Sequence, residues 1–297
     1  MFKGSITALI TPFHDGELDR EAFEFLVDWQ IGEGVHGLVP CGTTGEAPTL
    51  SLEEHKWLVE TAVRVAAGRV PVIAGCGSNS TAKAVAMARH AGEAGADGIL
   101  VVTPYYNKPG PEGLFQHFKA VHDASQLPLI IYNIPGRSGI DMDVPTMARL
   151  NTELPNVVGV KDATGDLARV PVQRSTLGKD FCQLSGEDGT AVGFNALGGQ
   201  GCISVTANIA PSLTSAIQEA CLEGDYSMAL ELQDRVMPLN WAMFVEPNPA
   251  PAKFAASLIG ICRDEVRLPL TALSREGRTL VASALSQAGI GPVRKAR

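Results

Sequence analysis

The sequence predicts an α/β chain: a (β/α)8 TIM barrel over residues 1–224 that carries the active site, followed by a C-terminal helical extension over residues 225–297. Three observations carry this expectation. Short apolar runs recur eight times, roughly 20 to 35 residues apart, up to residue 205. Stretches of helical periodicity fill gaps between them. After Asn208 the strand signal stops while the helical signal continues. A chain of 297 residues is long enough for one such domain and its large core.

The apolar runs fall at 5–10, 37–40, 70–74, 98–102, 127–132, 157–160, 181–184 and 202–205. Runs so apolar, bounded by turn residues, suit strands buried on both faces in a parallel sheet. A helix over 52–67 opens after Ser51 with Glu54 three residues on, which is a capping box. The alanine-rich 81–94 stops at Gly95, and 111–125 and 144–154 fill two further gaps. Residues 211–223 read as the helix that completes the barrel; 225–244, 250–261 and 270–288 form the extension. The proline-rich stretch from Glu246 to Pro251 interrupts it. A doubly wound open sheet is the rival fold, but it wants an early phosphate fingerprint, and Gly75-Cys76-Gly77 is only a fragment of one.

Composition narrows the function classes. With 45% hydrophobic and 19% charged residues the chain is of ordinary globular type. A net charge of −8 gives no overall footprint for nucleic acid, and the basic tail Arg294-Lys295-Ala296-Arg297 suits a frayed end better than a binding patch. The start lacks a signal-peptide pattern, and no apolar run reaches the roughly 18 residues that span a bilayer. Six cysteines without a CxxC pair fit a reducing compartment, so a cytoplasmic protein is expected, with no nucleic-acid or membrane partner.

A barrel of this kind places its chemistry at the C-terminal ends of the strands. The residues just past each run include Thr43, Thr44, Glu46, Tyr105, Tyr106, Arg137, Lys161, Glu187 and Asp188. This ring holds hydroxyls, one lysine and one arginine, and lacks histidine. A nucleophile–histidine hydrolase is therefore excluded. No metal is expected, because His117 and His122 are five apart, off one ligating helix face. Glu46, Glu187 and Asp188 suit hydrogen-bonding roles better than a cation site.

Lys161 closes the apolar run 157–160, where an ammonium must find a partner, snorkel outward or lose its proton. A lysine that gives up its proton is a nucleophile toward carbonyls, and nearby phenols and hydroxyls can shuttle the protons of dehydration. Thr43 and Thr44 offer a neutral donor cluster for a carboxylate, and Arg137 a cationic fork. The plain alternatives are an ion-paired lysine, a simple Thr-Thr turn, loop-anchoring tyrosines and a surface arginine. Tyr105 and Tyr106 are adjacent, so at most one faces a given site.

Gly42-Thr43-Thr44-Gly45-Glu46, Thr103 to Pro109 (TPYYNKP), Tyr132 to Gly139 (YNIPGRSG) and Gly159-Val160-Lys161-Asp162-Ala163 together resemble the dihydrodipicolinate synthase family. The resemblance runs end to end and includes Glu246-Pro247-Asn248-Pro249. The wider group is the pyruvate-dependent class I aldolases and lyases, with N-acetylneuraminate lyase and 2-keto-3-deoxy sugar-acid aldolases among them.

The resemblance implies condensation of pyruvate with L-aspartate-4-semialdehyde to 4-hydroxy-tetrahydrodipicolinate, at the entry to lysine and diaminopimelate biosynthesis. It implies a covalent imine with pyruvate on Lys161 and no cofactor. Thr43 and Thr44 would hold the pyruvate carboxylate, with Thr43 also in a proton relay. Tyr132 would be the central acid/base, and Tyr106 would reach into a neighbouring subunit's site. Arg137 would bind the semialdehyde carboxylate, while Gly186 and the backbone at Ile203 would contact substrate or the lysine. A homotetramer built as a dimer of dimers would follow. The alternatives are a sugar-acid aldolase, which would want hydroxyl partners at Arg137, and a catalytically dead ligand-binding paralogue, which would lack the lysine or the tyrosines. One departure stands out: lysine-inhibited members carry glutamate where this chain has Lys83, and often histidine where it has Leu52. Weak or absent inhibition by lysine is the expectation, since a cation there repels the effector's ammonium.

Overall fold

A computed structural model describes residues 2–293; the basic tail 294–297 lies outside the described residues. Eight parallel strands form one sheet: β1 (Gly4–Ala8), β2 (Gly37–Val39), β3 (Ile73–Gly75), β4 (Gly98–Val102), β5 (Leu129–Asn133), β6 (Val157–Asp162), β7 (Cys182–Ser185) and β8 (Gly201–Ser204). Consecutive strands are neighbours, and β1 pairs with β8 in the register Gly4↔Gly201 to Thr7↔Ser204. A parallel bridge between Leu38 and Val72 joins β2 to β3 and brings the two ends of the sheet together. The chain thus forms the (β/α)8 barrel that its eight apolar runs predict.

Strand alternation divides the core in two. Ile6, Ala8, Val39, Ile73, Leu100, Ile130, Tyr132, Cys182, Leu184 and Ile203 pack together inside the barrel. Residues between them, such as Leu38, Val101, Ile131 and Val160, face outward into a second, larger core beneath the helices. The barrel helices are α1 (Arg20–Gly32), α2 (Leu52–Ala66), α3 (Thr81–Glu93), α4 (Pro111–Ala124), α5 (Val144–Glu153), α6 (Arg169–Leu177), α7 (Ala191–Ala196) and α8 (Pro211–Glu223). The sequence reading did not identify α1, α6 or α7. The last two are short; α6 has a proline in its first turn, and Gly193 interrupts α7, so neither carries a long apolar stripe.

Beyond the barrel lie α9 (Tyr226–Ala242), α10 (Ala250–Leu258) and α11 (Arg275–Ala288). Helix α9 packs on α8 and α11, and α10 packs on α11. No described helix is long and apolar enough to cross a membrane.

The extension is tied to the barrel by charge as well as packing. Ser51 and Glu54 form the reciprocal capping box at the start of α2. Arg267 then grips the same Glu54 carboxylate with two bonds of 2.9 and 2.5 Å. The Arg267 bond is the largest cause that holds the Glu54 carboxyl down at about 2. A depressed carboxyl stabilises the fold above its unfolded pKa, and the benefit fades as pH falls from near 4.5 toward 2. Glu54→Gln is therefore expected to lower the melting temperature at pH 7 and to converge on the unsubstituted protein only as pH falls through about 2, read by thermal melts across pH. An equal loss at both extremes would rule the linkage out.

Candidate active site

Lys161 lies within β6, not just past its end as the sequence reading had it, because β6 extends through Asp162. Gly159 and Lys161 share the inward face, while Val160 joins the outer core. Tyr132 is the register partner of Lys161 on β5, and its ring also points inward. The Lys161 ammonium sits 4.2 Å from the centre of the Tyr132 ring. Lys161 is only 6% exposed, and among the described residues it makes no ion pair and no hydrogen bond. A side chain so placed is held in position while its Nζ is bound to no other described polar group.

The outward neighbour explains why. Asp162 accepts from Arg169 Nε at 3.0 Å, Gln173 Nε2 at 2.7 Å and the Thr164 hydroxyl at 2.6 Å. Arg169 also donates to Asp141 and to the Met142 carbonyl, and Asn133 donates to Asp141. This network locks the ends of β5 and β6 from outside the barrel, so Asp162 is satisfied without Lys161.

Glycine is required at position 186. A Cβ there would lie 2.6 Å from the Ala163 Cβ and 3.1 Å from Lys161 Cε, so any larger residue displaces the lysine stem. Ile203 is buried in the barrel interior with Tyr132. Glu187, next in sequence, has its carboxyl pushed up by burial first and by Asp188 second, with Lys161 opposing. Asp188 accepts from the backbone amides of Val205 and Thr206 and from the Ser204 hydroxyl, a structural role.

A cavity of about 540 Å³ opens at the C-terminal ends of β2 to β5. Thr43, Tyr132 and Arg137 are in its wall; Lys161, Thr44, Gly186 and Ile203 are not, and Lys161 adjoins it through Tyr132. Arg137 stands on the one-turn helix Pro135–Ser138, which the Ser138 hydroxyl braces from 2.9 Å of both the Ile134 and Ile140 carbonyls, its one proton shared between them. The wall continues to Leu52, His55, Asn79, Lys83 and Tyr105.

Thr43 and Thr44 lie in a tight turn framed by left-handed Cys41 (φ 57°) and Glu46 (φ 56°). Gly45 N donates to Gly42 O, Glu46 N to Thr43 O, and the Thr11 hydroxyl to Gly45 O. The backside of this turn meets the extension. Asn248 donates to Thr44 Oγ1 at 3.0 Å, and Lys253 pairs with Glu46 at 2.5 Å. Sequence reasoning missed both partners, since it treated Glu246 to Pro251 as a helix breaker and part of a resemblance and read Lys253 only as part of the helix 250–261.

Tyr106 stands apart. It is 90% exposed, has φ 71° and lies outside the cavity wall, while Tyr105 lines it. Of the adjacent tyrosines only Tyr105 thus faces the cavity of its own chain.

Other chemistries find little support here. No group of three or more potential ligands among the described His, Cys, Asp and Glu side chains could hold a metal. Burial pushes the thiols of Cys41 and Cys76 up, away from the thiolate form a nucleophile needs.

The model of the dihydrodipicolinate synthetase family matches residues 1–288. The chain belongs to this family. A 4-hydroxy-tetrahydrodipicolinate synthase of Parvibaculum lavamentivorans is 62% identical over 290 residues, which cover 98% of this chain and 99% of that one. One of Roseobacter denitrificans is 62% identical with the same coverage. Among solved structures, the dihydrodipicolinate synthase of Aquifex aeolicus superposes with a TM-score of 0.96 at 43% identity, over 99% of this chain and 100% of that one. The family is one of lyases, and this chain is an enzyme of that class.

Proposed function

We propose that the chain condenses pyruvate with L-aspartate-4-semialdehyde to 4-hydroxy-tetrahydrodipicolinate through an imine on Lys161. The observation that carries the reading is the inward pairing of an uncommitted Lys161 with Tyr132 beside a cavity walled by Thr43 and Arg137. The Lys161 amine adds to the ketone carbon of pyruvate, and loss of water gives the imine. Removal of a methyl proton gives an enamine whose carbon attacks the aldehyde of the second substrate. The amino group of that substrate then displaces Lys161 from the former ketone carbon, which closes the ring and restores the amine. Tyr132 and Thr43 move the protons, and no cofactor is required. Thr43 and Thr44 hold the pyruvate carboxylate, and Arg137 receives the semialdehyde carboxylate as a planar fork. Gly186 and the Ile203 backbone shape the space around the lysine.

The test is mass spectrometry after borohydride reduction. A pyruvate-sized adduct on Lys161 that disappears when semialdehyde precedes the reductant supports the reading. An adduct indifferent to semialdehyde points to a sugar-acid aldolase, and no adduct refutes both.

Tyr106, exposed on its own chain, completes the relay of a neighbouring copy, so the active unit is at least a dimer and the whole a tetramer of paired dimers in the cytoplasm. Tyr106→Phe should lower turnover by about 10²-fold or more, with the pyruvate imine still trapped. A change confined to apparent affinity would assign it to binding instead.

Lys83 lies with His55, Asn79 and Tyr105 in the cavity wall, where its charge opposes an incoming amino-acid ammonium. Millimolar L-lysine is expected to leave the initial rate unchanged. Inhibition in that range, with lysine seated beside Asn79 and Tyr105, would overturn this.

A further inference from the structure

The turn that carries Thr44 is hydrogen-bonded to the C-terminal extension. Thr44 is almost fully buried, and its hydroxyl has one proton and two acceptor lone pairs. Asn248, itself buried in the segment between α9 and α10, donates its amide to Thr44 Oγ1 at 3.0 Å across 204 residues of sequence. The oxygen therefore acts as an acceptor toward the extension, and its proton stays available to a second partner. The amide's other end, Oδ1, is buried with no hydrogen-bond partner, so the Thr44 contact is the polar anchor of this side chain.

Two further contacts hold the same turn against the same extension. Lys253 Nζ meets Glu46 Oε1 at 2.5 Å and donates to the Glu265 carbonyl at 2.6 Å. The Arg267 amide donates to Glu46 Oε2 at 3.0 Å. Glu46 follows Thr44 by two residues, so its anchors set the turn while Asn248 sets the hydroxyl.

We propose that Asn248 is a positioning residue for pyruvate binding: by donating to Thr44 Oγ1 it commits the Thr44 hydroxyl to donate its proton to the pyruvate carboxylate. This rests on the assignment of Thr44 as a carboxylate ligand. Without the amide, the hydroxyl rotates among its buried neighbours, and the site loses one aimed donor.

A double-mutant cycle tests it, with KM for each substrate and the rate of borohydride-trapped imine as readouts. Asn248→Ala should raise KM for pyruvate about tenfold, the loss of one hydrogen bond to a charged group, and leave KM for semialdehyde unchanged. Thr44→Val should do the same, and adding Asn248→Ala to Thr44→Val should cost nothing more. Additive effects, or equal rises in both KM values, would overturn the inference and leave Asn248 a purely structural residue. If Thr44→Val alone leaves pyruvate binding intact, the carboxylate assignment fails, independently of Asn248. Should Asn248→Ala not accumulate, Asn248→Asp preserves the shape, removes the donor and supports the same cycle.

Discussion

Lys161→Ala protein, incubated with pyruvate and borohydride, is expected to have no adduct and no measurable condensation. The reason is geometric as much as chemical. The lysine projects into the barrel from within β6, between Tyr132 and Leu184, its register partners on the two neighbouring strands. No other described lysine occupies that interior: Lys253, the other fully sequestered one, is committed to Glu46 and to the Glu265 carbonyl. The fold should survive, because Lys161 makes no ion pair whose loss would strand a charge, and the melting temperature should stay close to that of the unsubstituted enzyme. Adduct formation at undiminished levels in the variant would refute the nucleophile assignment. Unfolding of the variant would instead show that the lysine stem is a packing element.

The second large effect concerns stability. In Glu46→Ala the Lys253 ammonium, wholly buried, loses its carboxylate. Removal of one partner of a buried pair costs on the order of 3–5 kcal/mol, because the remaining charge is uncompensated. For a domain of this size that is roughly 6–20 °C in melting temperature. Burial already pushes the Lys253 pKa down, with Glu46 opposing, so the variant should lower it further. A lysine depressed in the folded state binds fewer protons there than when unfolded, and stability rises with pH between the two pKa values. The deficit of Glu46→Ala should therefore shrink as pH is raised into the alkaline range. Lys253→Met added to it should recover part of the loss even at neutral pH. A melt within a degree or two of the parent would show that the pair contributes no stability.

The barrel was legible because β-strands buried on both faces are mostly apolar, and all eight runs are, although Ser5, Thr7, Gln183 and Ser204 are polar residues buried within them. Lys161 was legible for the same reason: a cation that ends such a run is conspicuous. Helices α6 and α7 were not, because a short helix with one buried face at a loop-rich edge leaves little periodic signal. The turn carrying Thr43 and Thr44 was visible as a motif, yet its support was not. Asn248, Lys253 and Arg267 reach it from the far end of the chain, and no local pattern encodes a contact spanning more than 200 residues. Arg169 is similar: its role becomes apparent only once Asp162 and Asp141 are side by side.

The pairing of β1 with β8 has a temporal meaning. The first strand has its β8 neighbour only when residues 201–204 have been made, and the Thr44 turn its amide anchor only at residue 248. During synthesis the nascent chain must hold an apolar strand with one edge open for most of its translation, and loop-closure entropy makes such distant pairings slow. Ribosome-bound chains that stop short of β8 should therefore be the species that chaperones engage most and proteases cut most readily, with protection rising sharply once the extension has emerged.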